Sequence, residues 1–327
     1  MTALAGVGVY VPEERVPIEE PAERFGLTPM QVKIFRRYHG LGEVARAPKE
    51  GLLDLLRAAV ADLDGFEDLK HRIRYVVHAR SFSVVVPYPE NPLRELCDEL
   101  GLEHASSFAV GHHACSSGLL AVEVAGRLLA ADAEHDQHDQ HDEHDQHQHD
   151  TDSGPLALIL AGEKAFTPQS QMVPETSFFG EGASACLVRT GGARDRLLAY
   201  ATDLRGEFDD DSEETAAQYQ AIYADSLAAA IKAAVDRSGT PMDEIALILP
   251  HNVNLVAWRK VCRRLGVPTA KVLLDNVPTL GHVFCADAFI NYRTARQRGL
   301  LQPGDRYVMA AAGAGLGAAF SALVFEH

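Results

Sequence analysis

A chain of 327 residues that is 46% hydrophobic can bury one or two sizeable cores, which excludes a disordered protein. Its formal charge of −16, from 30 Lys and Arg against 46 Asp and Glu, excludes the basic face that a nucleic-acid binder needs to displace counterions from phosphate. Five widely spaced cysteines, an odd number without a C-x-x-C pair, suggest neither a disulfide framework nor a zinc ribbon and leave at least one thiol for chemistry.

The opening MTALAGVGVYVPEERV lacks the basic and long apolar regions of a secretory leader, and no later run reaches the ~18 to 20 uninterrupted apolar residues of a membrane span. A cytoplasmic protein without a membrane partner is expected. Residues 52–63 (LLDLLRAAVADL) have helical spacing, and residues 73–79 (IRYVVHA) read as a strand. A helix over 91–100, an apolar stretch over 106–110 and the turn Gly111-His112-His113-Ala114-Cys115 come next, followed by a helix of small residues over 116–131. Residues 132–152 (DAEHDQHDQHDEHDQHQHDTD) then form a low-complexity run that cannot bury enough surface to offset its ordering entropy, so a surface loop is expected. A metal-binding tract is the alternative, since imidazole and carboxylate suit divalent transition metals, but no fixed geometry is implied and no metal is expected at the functional site.

After the strand 156–161 (LALILA), and an acidic run 207–214 (EFDDDSEE) read as a solvated loop, the order repeats. Residues 217–236 form an amphipathic helix, 245–249 (IALIL) a strand, 253–265 a helix and 271–275 (KVLLD) a strand. A turn at Gly281-His282, a helix to residue 298 and a strand over 306–312 complete it. Apolar strands separated by helices predict parallel sheets covered on both faces, and two such halves packed together predict five layers. The halves are 1–190, with the cysteine turn and the His/Asp run, and 191–327. Cys115 and His282 each lie where a strand ends and a helix starts, so a pseudo-twofold axis would bring both to one central site.

Four segments carry a family resemblance: Ala114-Cys115-Ser116-Ser117-Gly118, Phe179-Gly180-Glu181-Gly182-Ala183-Ser184-Ala185, His251-Asn252-Val253-Asn254, and Gly304-Asp305 with residues 310–317. In that order they resemble a ketoacyl-ACP synthase III-like member of the thiolase superfamily. The resemblance implies a thiolase-like five-layered αβαβα fold from two similar halves, usually a homodimer, that takes an acyl group onto the cysteine from coenzyme A or an acyl carrier protein. No permanently bound cofactor is implied. Three departures suggest a specialised-metabolism type. Gly281 is followed by His282 where the family has Asn, the one tryptophan is Trp258 in the second half, and the His/Asp run is inserted after the nucleophile helix.

Cys115, at the start of a helix, would meet free backbone N–H groups and the positive end of the dipole, which favours thiolate and makes it the nucleophile. Cys97, Cys186, Cys262 and Cys285 fall within helix or strand patterns and are assigned to packing. His251 ends a strand and can reach the cleft as a donor or base, with Asn254 orienting its loop. His282 would give a second N–H to the enolate formed when malonate loses carbon dioxide. Of His112 and His113, which flank the nucleophile, one is a candidate for facing the cleft. The turn at Ala314 and Gly315 lets backbone approach the substrate, and the amide of Ala314 with that of Cys115 is the expected oxyanion hole. Condensation with a malonyl-type thioester is the leading expectation. An acyltransferase acting on an alcohol or amine is the second, and an inactive partner subunit the third.

Overall fold

Nine long strands join one ladder in the computed structural model, which describes residues 1–82, 89–139, 154–209, 212–315 and 317–327. The first five are β1 (Thr2–Tyr10), β2 (Ile73–Ala79), β3 (Ser106–Val110), β4 (Leu156–Glu163) and β5 (Gly182–Thr190), in the spatial order β3-β2-β4-β5-β1. The other four, β6 (Arg196–Arg205), β7 (Ile245–Pro250), β8 (Arg306–Gly315) and β9 (Gly317–Glu326), follow as β6-β9-β8-β7. At the seam between β1 and β6, Ala3 opposite Arg196 is the registered pair.

The sheets are mixed, which corrects the expectation of parallel pairing. Parallel register holds for β2 with β3, β2 with β4, and β7 with β8, whereas β4 with β5, β5 with β1, β6 with β9 and β8 with β9 run antiparallel. Strand β8 passes to β9 with Gly315 opposite Gly317, a connection too short for the helical crossover that parallel strands require. Residues 271–275 are not a strand: Lys271 closes the 3-10 turn Thr269–Lys271, and Val272 makes an isolated bridge to Ile248.

Alternation along the strands sets the layers. On β4, Leu156, Leu158 and Leu160 pack with α1 (Leu52–Ala61) and α2 (Pro92–Leu100), while Ala157, Ile159 and Ala161 face α3 (Ser117–Asp139). On β8, Val308, Ala310 and Ala312 pack with α4 (Glu213–Ser238) and α5 (Leu255–Leu265), while Tyr307, Met309 and Ala311 join the core of α3 and α6 (Asp287–Gln297). The result is the five-layered αβαβα arrangement, with α3 and α6 as its central layer. The segment Ala114–His135 is apolar and long enough to cross a membrane by length and composition, but Leu119, Val122, Ala125 and Leu129 within it are buried in this central layer.

Two acidic stretches read as loops are partly helical. Residues 132–139 continue α3, since a helix once nucleated adds one bond per residue, and Asp132 is tied to the Tyr75 hydroxyl at 2.9 Å and to Arg74 at 3.0 Å. The rest of the His/Asp run, 140–152, lies outside the described residues. Ser212 caps α4 by accepting from the Thr215 N–H at 3.1 Å, which puts Glu213 and Glu214 in the first turn, where the dipole favours them.

Candidate active site

Two like turns meet at the centre. After β3 the chain passes through His112 (φ 63°) and Ala114 (φ 43°) into a 3-10 turn, Ala114–Ser116, that opens α3. In the second half, Gly281 (φ 71°) and Phe284 (φ 47°) lead into the 3-10 turn Phe284–Ala286 that opens α6. Non-glycine residues in this region cost on the order of 1–3 kcal/mol each and persist where the surroundings over-determine them. By position in the turn, the counterpart of Cys115 is Cys285, and that of His282 is His112; the equivalence of Cys115 with His282 read from the sequence is thus shifted by three residues. The turns touch directly, with the Cys285 thiol donating to the Ala114 carbonyl at 3.2 Å.

The Phe-Gly-Glu-Gly segment seats His282. The His282 N–H donates to the Phe178 carbonyl and the Gly180 N–H to the His282 carbonyl, both at 2.9 Å, and a Cβ on Gly180 would lie 2.0 Å from the Leu280 carbonyl oxygen. Phe179 stacks on the imidazole at 5.0 Å between centroids. Nδ1 of His282 meets Asp287 Oδ2 at 2.5 Å. Asp287 is held in turn by the backbone N–H groups of Asn252 (2.6 Å) and Val283 (2.8 Å) and by the Asn252 side-chain amide (3.0 Å). Burial alone would lower the His282 pKa, but negative charge on Cys115, the Asp287 carboxylate and hydrogen bonds to both raise it to about 10. His282 is thus held between a carboxylate and the cysteine, both of which favour its protonated form.

His251, at the end of β7, lies 5.6 Å from His282 between ring centroids. Burial, and then the positive charge of His282, push it down to about 3, so it is neutral. Trp258 Nε1 donates to its carbonyl at 2.8 Å, and its Nε2 lies 2.8 Å from the Tyr223 hydroxyl of α4. Cys115, 9% exposed, accepts from the Ser81 hydroxyl at 3.4 Å and sits against Ala165, Phe179 and Phe284, with Phe82 and Val173 beside them. A thiol, an imidazole beside it and a carboxylate orienting that imidazole are the groups that covalent acyl transfer would need.

Residues 235–325 match the family 3-Oxoacyl-[acyl-carrier-protein (ACP)] synthase III C terminal. A beta-ketoacyl-[acyl-carrier-protein] synthase III of Nitratidesulfovibrio vulgaris is 35% identical over 90 residues, 28% of this chain and 27% of that protein, so the match spans about a quarter of the relative. A 3-oxopimeloyl-[acyl-carrier-protein] synthase of Rhodothermus marinus is 27% identical across 96% of this chain and 91% of its own. The solved 3-oxoacyl-[acyl-carrier-protein] synthase III of Aquifex aeolicus superposes with a TM-score of 0.80 at 16% identity, covering all of both chains. The chain is a ketoacyl-ACP synthase III-like protein.

Within this synthase III-like fold, the remaining residues singled out by sequence fall in different places. Gly313 presses on the Cys115 turn: a Cβ there would lie 2.4 Å from the His113 carbonyl oxygen and 2.7 Å from the Cys115 nitrogen. Ala314 and Gly315 follow it, exposed, at the end of β8. Asn254 caps α5, accepting from the Ala257 N–H at 2.7 Å and donating to the Thr176 carbonyl at 2.9 Å, so its amide is engaged by the chain itself and not by the cleft. His112 is exposed; His113 is buried, with burial lowering its pKa. Cys97, Cys186 and Cys262 lie in the cores, but Cys285 shares the Ser81 hydroxyl with Cys115, at 3.4 Å from each sulfur.

Sequence reasoning missed three site residues. Asp287 had a signal in its place at the first turn of a helix, five residues after a candidate histidine. Glu163, buried at the end of β4, accepts the Ser81 and Phe82 N–H groups on Oε1 at 2.9 Å each; its signal is an acid closing an apolar strand. Tyr223 had none beyond its i,i+4 spacing with Tyr219 on an amphipathic helix.

Proposed function

We propose that the chain loads an acyl group from coenzyme A or an acyl carrier protein onto Cys115 and condenses it with a malonyl-type thioester. In loading, the Cys115 thiolate attacks the thioester carbonyl and the carrier leaves as a thiolate that takes a proton from solvent. In condensation, the bonding pair of the malonyl C–carboxylate bond becomes an enolate as carbon dioxide leaves. The enolate carbon attacks the acyl carbonyl, and the Cys115 thiolate returns to its pairing with the His282 imidazolium. The amides of Cys115 and Ala314 are the proposed oxyanion donors for both tetrahedral intermediates.

The observation that carries this reading is the placement of the two buried imidazoles: His282 lies between the Asp287 carboxylate and Cys115, which favours its protonated form, and His251 is buried beside it, which favours its neutral form. His282, raised to about 10, already holds its proton, and His251, pushed to about 3, is too weak a base to take one at neutral pH. Transfer to an alcohol or amine calls for a base, whereas an enolate calls for donors, which supports condensation. The assembled Cys115, His282 and Asp287 support an active enzyme over a silent subunit. A soluble, cytoplasmic homodimer belongs to the same proposal.

Intact-protein mass spectrometry after incubation with acyl-carrier and acyl-coenzyme A donors should show an adduct that maps to Cys115, followed by labelled carbon dioxide release from a malonyl thioester. Acyl transfer to alcohols or amines, with no carbon dioxide from any malonyl donor, would refute condensation.

A further inference from the structure

We propose that Cys285 is a resolving thiol for Cys115, so that oxidation of Cys115 by a hydroperoxide ends in a Cys115–Cys285 disulfide that reducing thiols reverse. This modification needs only an oxidisable Cys115 and is independent of whether an acyl group is condensed or transferred.

The two sulfurs meet at one atom. Each lies 3.4 Å from the Ser81 hydroxyl oxygen, so they are no more than twice 3.4 Å, or 6.8 Å, apart. The Cys285 sulfur also lies against the turn that carries Cys115. It is 3.2 Å from the carbonyl oxygen of Ala114, the residue before Cys115, and takes a hydrogen bond from the N–H of Gly118, three residues after it. Gly118 allows this approach, since a Cβ there would stand 2.7 Å from the Cys285 carbonyl oxygen and 3.0 Å from the Phe289 ring. Both cysteines are free thiols. An S–S bond is about 2.05 Å long, so closure asks for rotation of the two side chains and displacement of the Ser81 hydroxyl.

Oxidation begins at Cys115, the more exposed of the two at 9% against 4%. Its sulfur attacks one oxygen of the hydroperoxide as a thiolate, the O–O bond breaks, and the other oxygen leaves as hydroxide or alkoxide and is protonated by solvent. Cys115 is then a sulfenic acid, oxidised by two electrons, and the peroxide is reduced by two. The Cys285 sulfur next attacks the sulfenic sulfur. The S–O bond breaks, the S–S bond forms, and the hydroxyl leaves as water with the Cys285 proton. Burial holds Cys285 as a thiol, well above the usual range, which keeps it from reacting with the oxidant first. The same burial slows its attack, and its contact with the Cys115 turn offsets that by making the step intramolecular. The disulfide withholds the Cys115 sulfur from acyl donors while it lasts and spares it the irreversible step to sulfinic acid.

Wild-type protein treated with hydrogen peroxide, alkylated and digested without reductant should yield a linked pair of peptides carrying Cys115 and Cys285, lighter by two hydrogens than the separate peptides. Dithiothreitol should then restore alkylation of Cys115. Cys285→Ala, and Cys285→Ser, which keeps the volume, remove the resolving thiol. The same dose should carry their Cys115 on to sulfinic acid, seen as two added oxygens, with loss of alkylation that dithiothreitol does not reverse. A wild type in which the linked pair is missing, a disulfide from Cys115 to another cysteine or a second chain, or variants that recover as fully as wild type would each overturn the proposal. Failure of Cys115 to take an acyl group would overturn the functional reading instead, and is recognised by a missing acyl adduct beside an intact linked pair.

Discussion

Cys115 and Cys285 occupy the same place in two copies of one turn, each the residue after a non-glycine at positive φ and each at the start of a central helix. Their chemistry differs because their neighbours do. Cys285 is 4% exposed and its thiol spends its proton on the Ala114 carbonyl, and burial pushes its pKa well above the usual thiol range, with Glu163 and Cys115 adding to the rise. Cys115 has an imidazolium for a neighbour. The histidine that stands three residues before each cysteine reaches Cys115 in one case, His282, and is exposed in the other, His112. A helix dipole and strained turn common to both do not distinguish the two thiols; the imidazole contributed by the opposite half does.

Exchange of the two roles is the most severe test. Cys115→Ala should abolish acyl loading, while Cys285→Ala should retain it to within a few-fold, read as the adduct mass after acyl-donor incubation. An adduct on Cys285 in the wild type would break the comparison at its root. Next in size is the carboxylate that makes His282 a cation. Asp287→Asn keeps the shape but removes the charge, so turnover should fall about 10²–10⁴-fold, in line with such replacements in other nucleophile–histidine–carboxylate sets. The wild-type rate should hold as pH rises toward about 10, where His282 loses its proton, and this limb should move to lower pH in Asp287→Asn. An unmoved limb would show that another group sets it. The His282 series separates the half-reactions: His282→Ala should lose carbon dioxide release while part of the loading survives, and His282→Asn should recover some release because an amide N–H returns. Equal loss in both half-reactions would show that His282 serves the nucleophile alone.

The parts of this design visible in sequence are those written locally. The strand 73–79 and the apolar stretch 106–110, which is also a strand, are bounded to the residue because apolar runs mark their ends. Residues 271–275 look equally strand-like, yet they make one bridge, because pairing depends on what lies beside a segment and not on its composition. The mixed sheets were hidden for the same reason: apolar continuity reports burial on both faces, not strand direction. Within the site, motifs pointed to Cys115, His251 and His282, while Tyr223, Ser81 and Glu163 converge from three separate elements. Tyr223 lies 28 residues from its histidine, and no spacing rule predicts that contact.

Glu163 offers the smallest and most specific test, because it holds the Ser81 segment whose hydroxyl the two cysteines share. Its Oε1 is satisfied by two N–H groups, but Oε2 is buried without a partner among the described residues, and burial raises the carboxyl to about 7. A folded-state pKa above the unfolded value of ~4.3 means that the neutral form is favoured by folding. The stability from this group is complete below the unfolded pKa and is lost as pH rises through about 7. His251, pushed down to about 3, works the other way: its contribution is present above the unfolded pKa of ~6.5 and lost as pH falls. The two trends overlap between about pH 5 and 7, so the wild-type melting curve alone would not separate them. The difference between Glu163→Gln and wild type does, since Gln retains the Oε1 acceptor for Ser81 and Phe82 but does not titrate. The melting temperature of Glu163→Gln relative to wild type should therefore climb by a few degrees from pH 5 to pH 8, as the native carboxylate is forced to ionise. A difference that stays constant across this range would show that Glu163 does not titrate there and that its unpaired oxygen is accommodated in another way.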